Sequence, residues 1–287
     1  MKTFRDRVAV VTGGASGLGR AMAERFAREG MKTVIADIDA DALDRTAAEM
    51  RSAGAHVLAV RTDVSQAADV EALARATLDE FGAAHLVVNN AGVGPLGAAW
   101  ESTERDWLWT LGVNLWGVIH GVRVFTPILL EQAKKSGAEG HIINTASVAG
   151  LISPPGMGAY NASKHAVVAL TETLHHDLAR RTDKVKCSLL CPAYVPTGIA
   201  DSERNRPDAL RDPDRTKSDE QLALEDGLRK AVHSGKISAA DVAERVFEAV
   251  RDERFYILTH ERIKSAIAAR MEDILGGANP RNPLAVR

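Results

Sequence analysis

Short β-branched runs alternate with helical stretches along most of this chain, and a glycine cluster joins the first pair. Residues 7–13, R-V-A-V-V-T-G, have the composition of a strand buried on both faces. Gly13, Gly14, Gly17 and Gly19 follow, and then A-M-A-E-R-F-A-R-E-G, with helical spacing at Met22 and Phe26 and a stop at Gly30. K-T-V-I-A-D reads as a second strand ending at Asp37, with a helix over Ala40–Ser52 behind it. H-V-L-A-V-R-T reads as a third, ending at Asp63 and Val64, with Ser65 capping a helix to about Phe81. H-L-V-V-N-N, the fourth, runs into Asn90, Ala91 and Gly92. Strands spaced by helices of this length imply right-handed βαβ units. The expected fold is α/β, a doubly wound parallel sheet of about seven strands with helices on both faces, in one domain over residues 1–287.

The glycine cluster lies where a dinucleotide would need it. Its spacing is T-G-x-x-x-G-x-G, from Thr12 to Gly19, between a strand and a helix. Bare backbone there can approach a pyrophosphate, and the helix N-terminus attracts its charge. A plain tight turn is the alternative, but it would require neither flanking element. Asp37, at a strand end, can accept from the adenosine ribose hydroxyls and would repel a 2′-phosphate. Arg20 is the base nearby, and from the first helical turn it is expected to face solvent. NAD is therefore expected over NADP. Asp37 could instead cap the Ala40–Ser52 helix, a role equally open to Asp39.

Proton chemistry enters at Ser147–Lys164, S-V-A-G-L-I-S-P-P-G-M-G-A-Y-N-A-S-K. On a helix, Tyr160 and Lys164 lie one turn apart on one face. A phenol of pKa about 10 is a poor base at neutral pH. A neighbouring ammonium is expected to lower that pKa and to poise Tyr160 for proton transfer. Ser147 can hydrogen-bond the same substrate oxygen. Taken alone, Y-x-x-x-K reads rather as the start of a surface helix with a solvated lysine, and the other motifs reverse that reading.

These motifs together resemble the short-chain dehydrogenase/reductase family, in its shorter single-domain branch. The matching residues are T-G-G-A-S-G-L-G at 12–19, Asp63-Val64, N-N-A-G at 89–92, Asn114, Ser147, Tyr160 with Lys164, and P-A-Y-V-P-T at 192–197. The resemblance covers residues 7 to about 200 and implies a Rossmann-type fold. It further implies that Gly13, Ser16, Gly17, Leu18 and Gly19 hold the pyrophosphate, and that Asp37 and Ile38 meet the adenosine ribose. Asp63 and Val64 would border the adenine, with Asn90, Ala91 and Gly92 beneath the cofactor. Tyr160 and Lys164 would bond the nicotinamide ribose, and Pro192, Val195 and Thr197 would flank the nicotinamide amide. The implied catalytic set is Asn114, Ser147, Tyr160 and Lys164, with Asn114 distorting its helix and holding a water on a proton path to the lysine. Ala193 and Ala146 depart from the family's usual glycine and serine, and Ala193 could reshape the nicotinamide pocket.

Residues 101–136 read as one long helix, which Pro127 should kink or break. Asn114 within it could merely bond nearby backbone. A helix over about Ala159–Arg181 presents Val167, Leu170, Leu174 and Leu178 as a core stripe. The resemblance pairs these two helices across subunits, implying a homodimer or homotetramer. Residues 198–236 carry many charges and two prolines, Pro207 and Pro213. They read as a substrate lid or a disordered linker, the lid being favoured because they follow the nicotinamide strand directly. Ser238 should cap a further helix to about Arg251, F-Y-I-L-T is a last strand, and a final helix spans about 261–275. Residues 276–287 read as an extended tail that packs on a neighbouring subunit or frays.

A formal net charge of −2 gives no footprint for nucleic acid or anionic lipid. No apolar run is read as long enough to span a bilayer, and the N-terminus does not read as a signal peptide, so a cytoplasmic location is expected. Cys187 and Cys191 share one strand face as small hydrophobes, and no cluster of metal-ligand spacing appears, so no metal is expected. The expected activity is NAD-dependent interconversion of a secondary alcohol and a ketone. The stretches 92–100, 148–157 and 194–199 are largely apolar and suggest a hydrophobic, medium to bulky carbinol, such as an aryl or steroid-like alcohol. The alternatives are an NADP-dependent 3-oxoacyl-thioester reductase and a non-catalytic NAD-sensing subunit.

Overall fold

The computed structural model describes residues 1–213 and 216–286. Seven strands form one parallel sheet in the order β3-β2-β1-β4-β5-β6-β7. They are β1 Val8–Thr12, β2 Lys32–Asp37, β3 Val57–Arg61, β4 Leu86–Asn89, β5 Gly140–Thr145, β6 Val185–Cys191 and β7 Tyr256–Leu258. The helices are α1 Gly17–Arg28, α2 Ala40–Ser52, α3 Ala67–Phe81, α4 Glu104–Leu111, α5 Gly117–Ser136, α6 Gly158–Ala179, α7 Asp219–His233, α8 Ala239–Asp252 and α9 Ile263–Gly276.

Both faces of the sheet are covered, which is why β1 and β5 are buried at every residue. Side chains alternate across the pleat. Ala9, Val11, Ile35, Leu86 and Val88 pack with Met22 and Phe26 of α1, Leu43 and Met50 of α2 and Val246 of α8. Val8, Val10, Val34 and Val87 face the opposite way, toward Leu73 of α3, Phe125 and Leu129 of α5 and Leu174 of α6.

The chain winds outward from β1 in one direction and then from β4 in the other, so the crossovers diverge between these two strands. Val11 pairs with Val88, and the carboxyl ends of β1 and β4 therefore open side by side into a crevice. Ligands of open α/β sheets bind at such a switch point.

Several sequence expectations need correction. Ser65 does not cap α3. Its amide and hydroxyl donate to the Asp63 carboxylate, and Gln66 takes the N-cap position without a side-chain capping bond. Of the two cap candidates for α2, Asp39 takes the role, as left open by the sequence, accepting from Ala42 N at 3.0 Å. Pro127 does not break α5. The stretch 104–136 is helical throughout, but as α4, a π-turn at Gly112–Trp116 and α5. It also passes a length-and-hydropathy test for a membrane span, contrary to the sequence reading. Its Val118, Phe125 and Leu129 are buried against the sheet and α6, which accounts for that apolarity within the core. The segment 198–236, read as a substrate lid or a disordered linker, contains, among its described residues, two 3-10 stretches and the fifteen-residue α7, capped by Ser218. The tail beyond α9 folds back on it: Arg281 pairs with Asp273 at 2.7 Å and donates to Ala269 O at 2.8 Å.

Candidate active site

The crevice is a cavity of about 240 Å³, walled by the turns after β1, β2, β3, β4, β5 and β6, by α4 and by the segment after β6. The glycine turn is built by exclusion. A Cβ at Gly13 would stand 2.9 Å from Ala91 Cα, and Gly13 and Gly17 have φ of +63° and +53°. A Cβ at Gly19 would stand 2.0 Å from Gly13 O and 2.6 Å from Asn90 Nδ2. Gly19 therefore serves the turn's packing; unlike Gly13, Ser16, Gly17 and Leu18, it does not line the cavity. Asn90 locks the turn from the β4 side, donating from Nδ2 to Thr12 O at 3.1 Å while its own N–H donates to Thr12 Oγ1. Such a cradle of bare backbone at the start of a twelve-residue helix fits a pyrophosphate.

Asp37 lies at the end of β2 on the cavity wall beside Ile38. Its carboxylate accepts from Ala15 N at 3.1 Å and Asp39 N at 3.2 Å. Burial nevertheless raises its pKa above the ordinary carboxylate value, with the backbone bonds opposing. Arg20 is turned to other work, pairing with Glu24 at 2.7 Å and Glu49 at 2.6 Å. Asp63, Val64, Asn90, Ala91, Gly92, Pro192, Val195 and Thr197 all line the same cavity.

At its other end stand Ser147, Tyr160 and Lys164. Ser147 follows β5 in extended conformation, and its Oγ accepts from Ala149 N at 3.1 Å. Tyr160 and Lys164 occupy the first two turns of α6. The Lys164 ammonium is 5.7 Å from the Tyr160 ring centre and donates to Thr145 O at 2.9 Å. The expectation that Lys164 lowers the phenol pKa is not met in this structure. Burial dominates and pushes Tyr160 up from 10.0, with the Ser147 hydroxyl opposing. Burial likewise pushes Lys164 down to about 8, since a desolvated ammonium sheds its proton more readily.

Asn114 is fully buried behind the wall and does not line the cavity. It sits in the π-turn, so the expected distortion of the helix falls at this residue. Its Oδ1 accepts from Val93 N at 2.8 Å, and its Nδ2 donates to Val93 O at 2.9 Å and Ser163 Oγ at 3.2 Å. Ser163 Oγ in turn donates to Tyr160 O at 2.7 Å. Asn114 thus couples the wall at Val93 to the first turn of α6.

The expected apolar wall is partly displaced. Val93, Val195 and Ile199 line the cavity, but residues 148–157 do not, and Trp100 is 87% exposed. Sequence reasoning missed Leu108, Trp109, Gly112 and Val113 on α4 and the turn after it, and Ser202, Arg204, Asn205, Pro207, Leu210 and Val232 from the segment beyond β6. An aromatic in an amphipathic helix gave no motif to read, and the latter group arrives only through folding of 198–236.

The family model described as short chain dehydrogenase matches residues 7–208. A short chain dehydrogenase/reductase of Burkholderia phymatum, solved in complex with NAD, is 57% identical over the whole of both chains, with a TM-score of 0.96. A CLA biosynthesis dehydrogenase/reductase of Lactiplantibacillus plantarum is 36% identical over 98% of this chain and 97% of its own. A 1-deoxy-11-beta-hydroxypentalenate dehydrogenase of Streptomyces exfoliatus is 37% identical over 94% of this chain and 89% of its own.

Proposed function

This chain belongs to the short chain dehydrogenase family of oxidoreductases that act on CH–OH groups, and we propose that it interconverts a secondary alcohol and a ketone with NAD. The observation that carries this reading is one cavity wall shared by the glycine turn, Asp37, Ser147, Tyr160 and Lys164. When bound, the nicotinamide dinucleotide supplies the hydride acceptor or donor.

Tyr160 exchanges the proton of the substrate hydroxyl. With its pKa raised by burial, the phenol is protonated at neutral pH and ready to donate to a ketone oxygen. Ser147 orients that oxygen and donates to the charge developing on it. Lys164, still protonated at pH 7 with a pKa of about 8, supplies positive charge beside the phenol. Asn114 holds the Val93 wall to α6, and the proton relay that the family resemblance assigns to it is part of the same proposal. Asp37 receives the adenosine ribose and would repel a 2′-phosphate, and Arg20 is engaged by Glu24 and Glu49, which supports NAD over NADP.

Val93, Val195, Ile199 and Val232 make the substrate end apolar and support a hydrophobic, medium to bulky carbinol as substrate. The segment 198–236 is read as its lid. Its α7 lies against the substrate loops: Gln221 Nε2 donates to Leu96 O at 2.8 Å, and a Cβ on Gly156 would stand 2.7 Å from Leu224. The proposal extends to a homodimer or homotetramer, to which α4 and the π-turn after it would offer the exposed Leu108 and Trp116. The test is a panel of secondary alcohols run with NAD and NADP in parallel, on wild type and Tyr160→Phe. Tyr160→Phe should bind NAD as wild type does and lose at least about a thousandfold in turnover. NAD binding without turnover across the panel would contradict the enzymatic reading.

A further inference from the structure

The first part of the segment beyond β6 runs along the crevice from Gly94, whose N–H donates to Ser202 Oγ at 3.2 Å, toward the turn after β2. Gly198, Ile199, Ser202, Arg204 and Asn205 share the cavity wall with Ser16, Gly17 and Asp37. A shallower groove beyond is lined by Ile38, Asp39 and Arg204–Asp208, so the chain passes from the β6 side across to the turn after β2. It is anchored at the far side by α4. Arg206 is buried, pairs with the equally buried Asp106 at 2.8 Å and lies over Trp109 at 5.0 Å. Asp212 accepts from Thr103 Oγ1 at 2.9 Å and from Arg105 at 3.0 Å.

One side chain on this strap stands apart. The Arg204 guanidinium donates through Nη1 to Gly198 O at 3.0 Å and Asp201 O at 2.8 Å, and no carboxylate among the described residues pairs with it. Its Nη2 lies 3.1 Å from where a Cβ on Gly198 would be. Thr197, the preceding residue, touches the glycine turn: its Cβ is 3.2 Å from a Cβ position on Gly17. Among the described residues, Arg204 and Lys164 are the two cationic side chains on the cavity wall, and Lys164 is held at the catalytic end by Thr145. Asp37 and Asp63, on the same wall, are anionic.

Resting on the reading of this cavity as a dinucleotide site, we propose that residues 198–212 strap the cofactor in place and that Arg204 binds its pyrophosphate. The α1 N-terminus offers only partial charges. A guanidinium beside it adds charge-assisted donors to an anion that carries two formal charges. The carbonyls of Gly198 and Asp201 hold Nη1, which orients the remaining N–H groups at little entropic cost on binding. The strap thereby links occupancy of the pyrophosphate site to the position of Ile199 and Ser202, on the wall that continues toward the substrate.

The test is calorimetric binding of NAD, ADP-ribose and adenosine to wild type, Arg204→Gln and Arg204→Lys, each at low and high salt. Arg204 is exposed, so the variants should keep the wild-type fold. Arg204→Gln should weaken NAD and ADP-ribose about tenfold, leave adenosine unchanged and flatten the salt dependence of ADP-ribose binding. Arg204→Lys should recover part of the loss. ADP-ribose affinity within twofold of wild type in Arg204→Gln, or an equal loss for adenosine, would overturn the assignment. If wild type bound none of the three ligands, the dinucleotide reading itself would fail, a result distinct from either.

Discussion

Replacing Lys164 with methionine should stabilise the folded chain while disabling it. Lys164 is 3% exposed, and burial lowers its pKa from 10.5 to about 8. At pH 7 both folded and unfolded states carry the proton, so the depression of roughly 2.5 units is a folding cost of about 3 kcal/mol. Methionine fills a similar unbranched volume with no charge to desolvate. Against that gain stands the bond to Thr145 O, whose loss costs about 1–2 kcal/mol. Lys164→Met should therefore be more stable than wild type by about 1–2 kcal/mol at pH 7, and inactive. The sign with pH is opposite to that of a group stabilised by a charge partner. Between pH 8 and 10.5 the folded state gives up its proton first and the unfolded state still holds one, so wild-type stability rises across this window relative to the variant. By pH 10 the burial cost has fallen to about 1 kcal/mol and the gap between the two proteins should have closed. Urea unfolding of both at pH 7, 8.5 and 10 reads the difference, with titrations elsewhere cancelling. A variant less stable than wild type at pH 7, or a gap unchanged from pH 7 to 10, would refute the idea that desolvation dominates at this lysine.

The raised phenol makes a second prediction. In the free enzyme, kcat/KM for alcohol oxidation should rise with pH through 9 and beyond, because Tyr160 must lose its proton to act as base, while kcat/KM for ketone reduction should not rise. A plateau of oxidation below pH 8 would show that a group other than a buried phenol limits it. Gly19→Ala should cost about 3 kcal/mol or more and abolish NAD binding, since the new Cβ would meet Gly13 O at 2.0 Å. Gly227→Ala, on α7 with no neighbour within 4 Å, should instead gain about 0.5–1 kcal/mol. Urea melts of the pair separate steric exclusion from helix propensity.

Which motifs the sequence revealed follows from the range of the interactions involved. The glycine turn is legible because its constraint is local: positive φ at Gly13 and Gly17 and a backbone contact within the turn leave no alternative residue. Tyr160 and Lys164 are legible because helical spacing alone places them on one face. Asn114 was recognisable as a position, but its bonds to Val93 and Ser163 join three separate stretches, and no pattern in any one of them announces the join. Ser65 misled for a related reason. Its hydroxyl had a better acceptor in the nearby Asp63 carboxylate than helix capping could offer, and propensity does not rank such competitors.

The sequence by itself determined the sheet, its helical layers, the glycine turn and the placing of Tyr160 and Lys164 on one helix face, because strand composition, helical period and turn chemistry act over neighbouring residues. Tertiary structure alone decided the direction of the pKa shift at Tyr160 and the course of residues 198–212 over the crevice. Both depend on what lies around a group once the chain has folded: burial of the phenol outweighs its bond with Ser147, and the Arg206–Asp106 pair seats a charged segment on a helix about a hundred residues away in sequence.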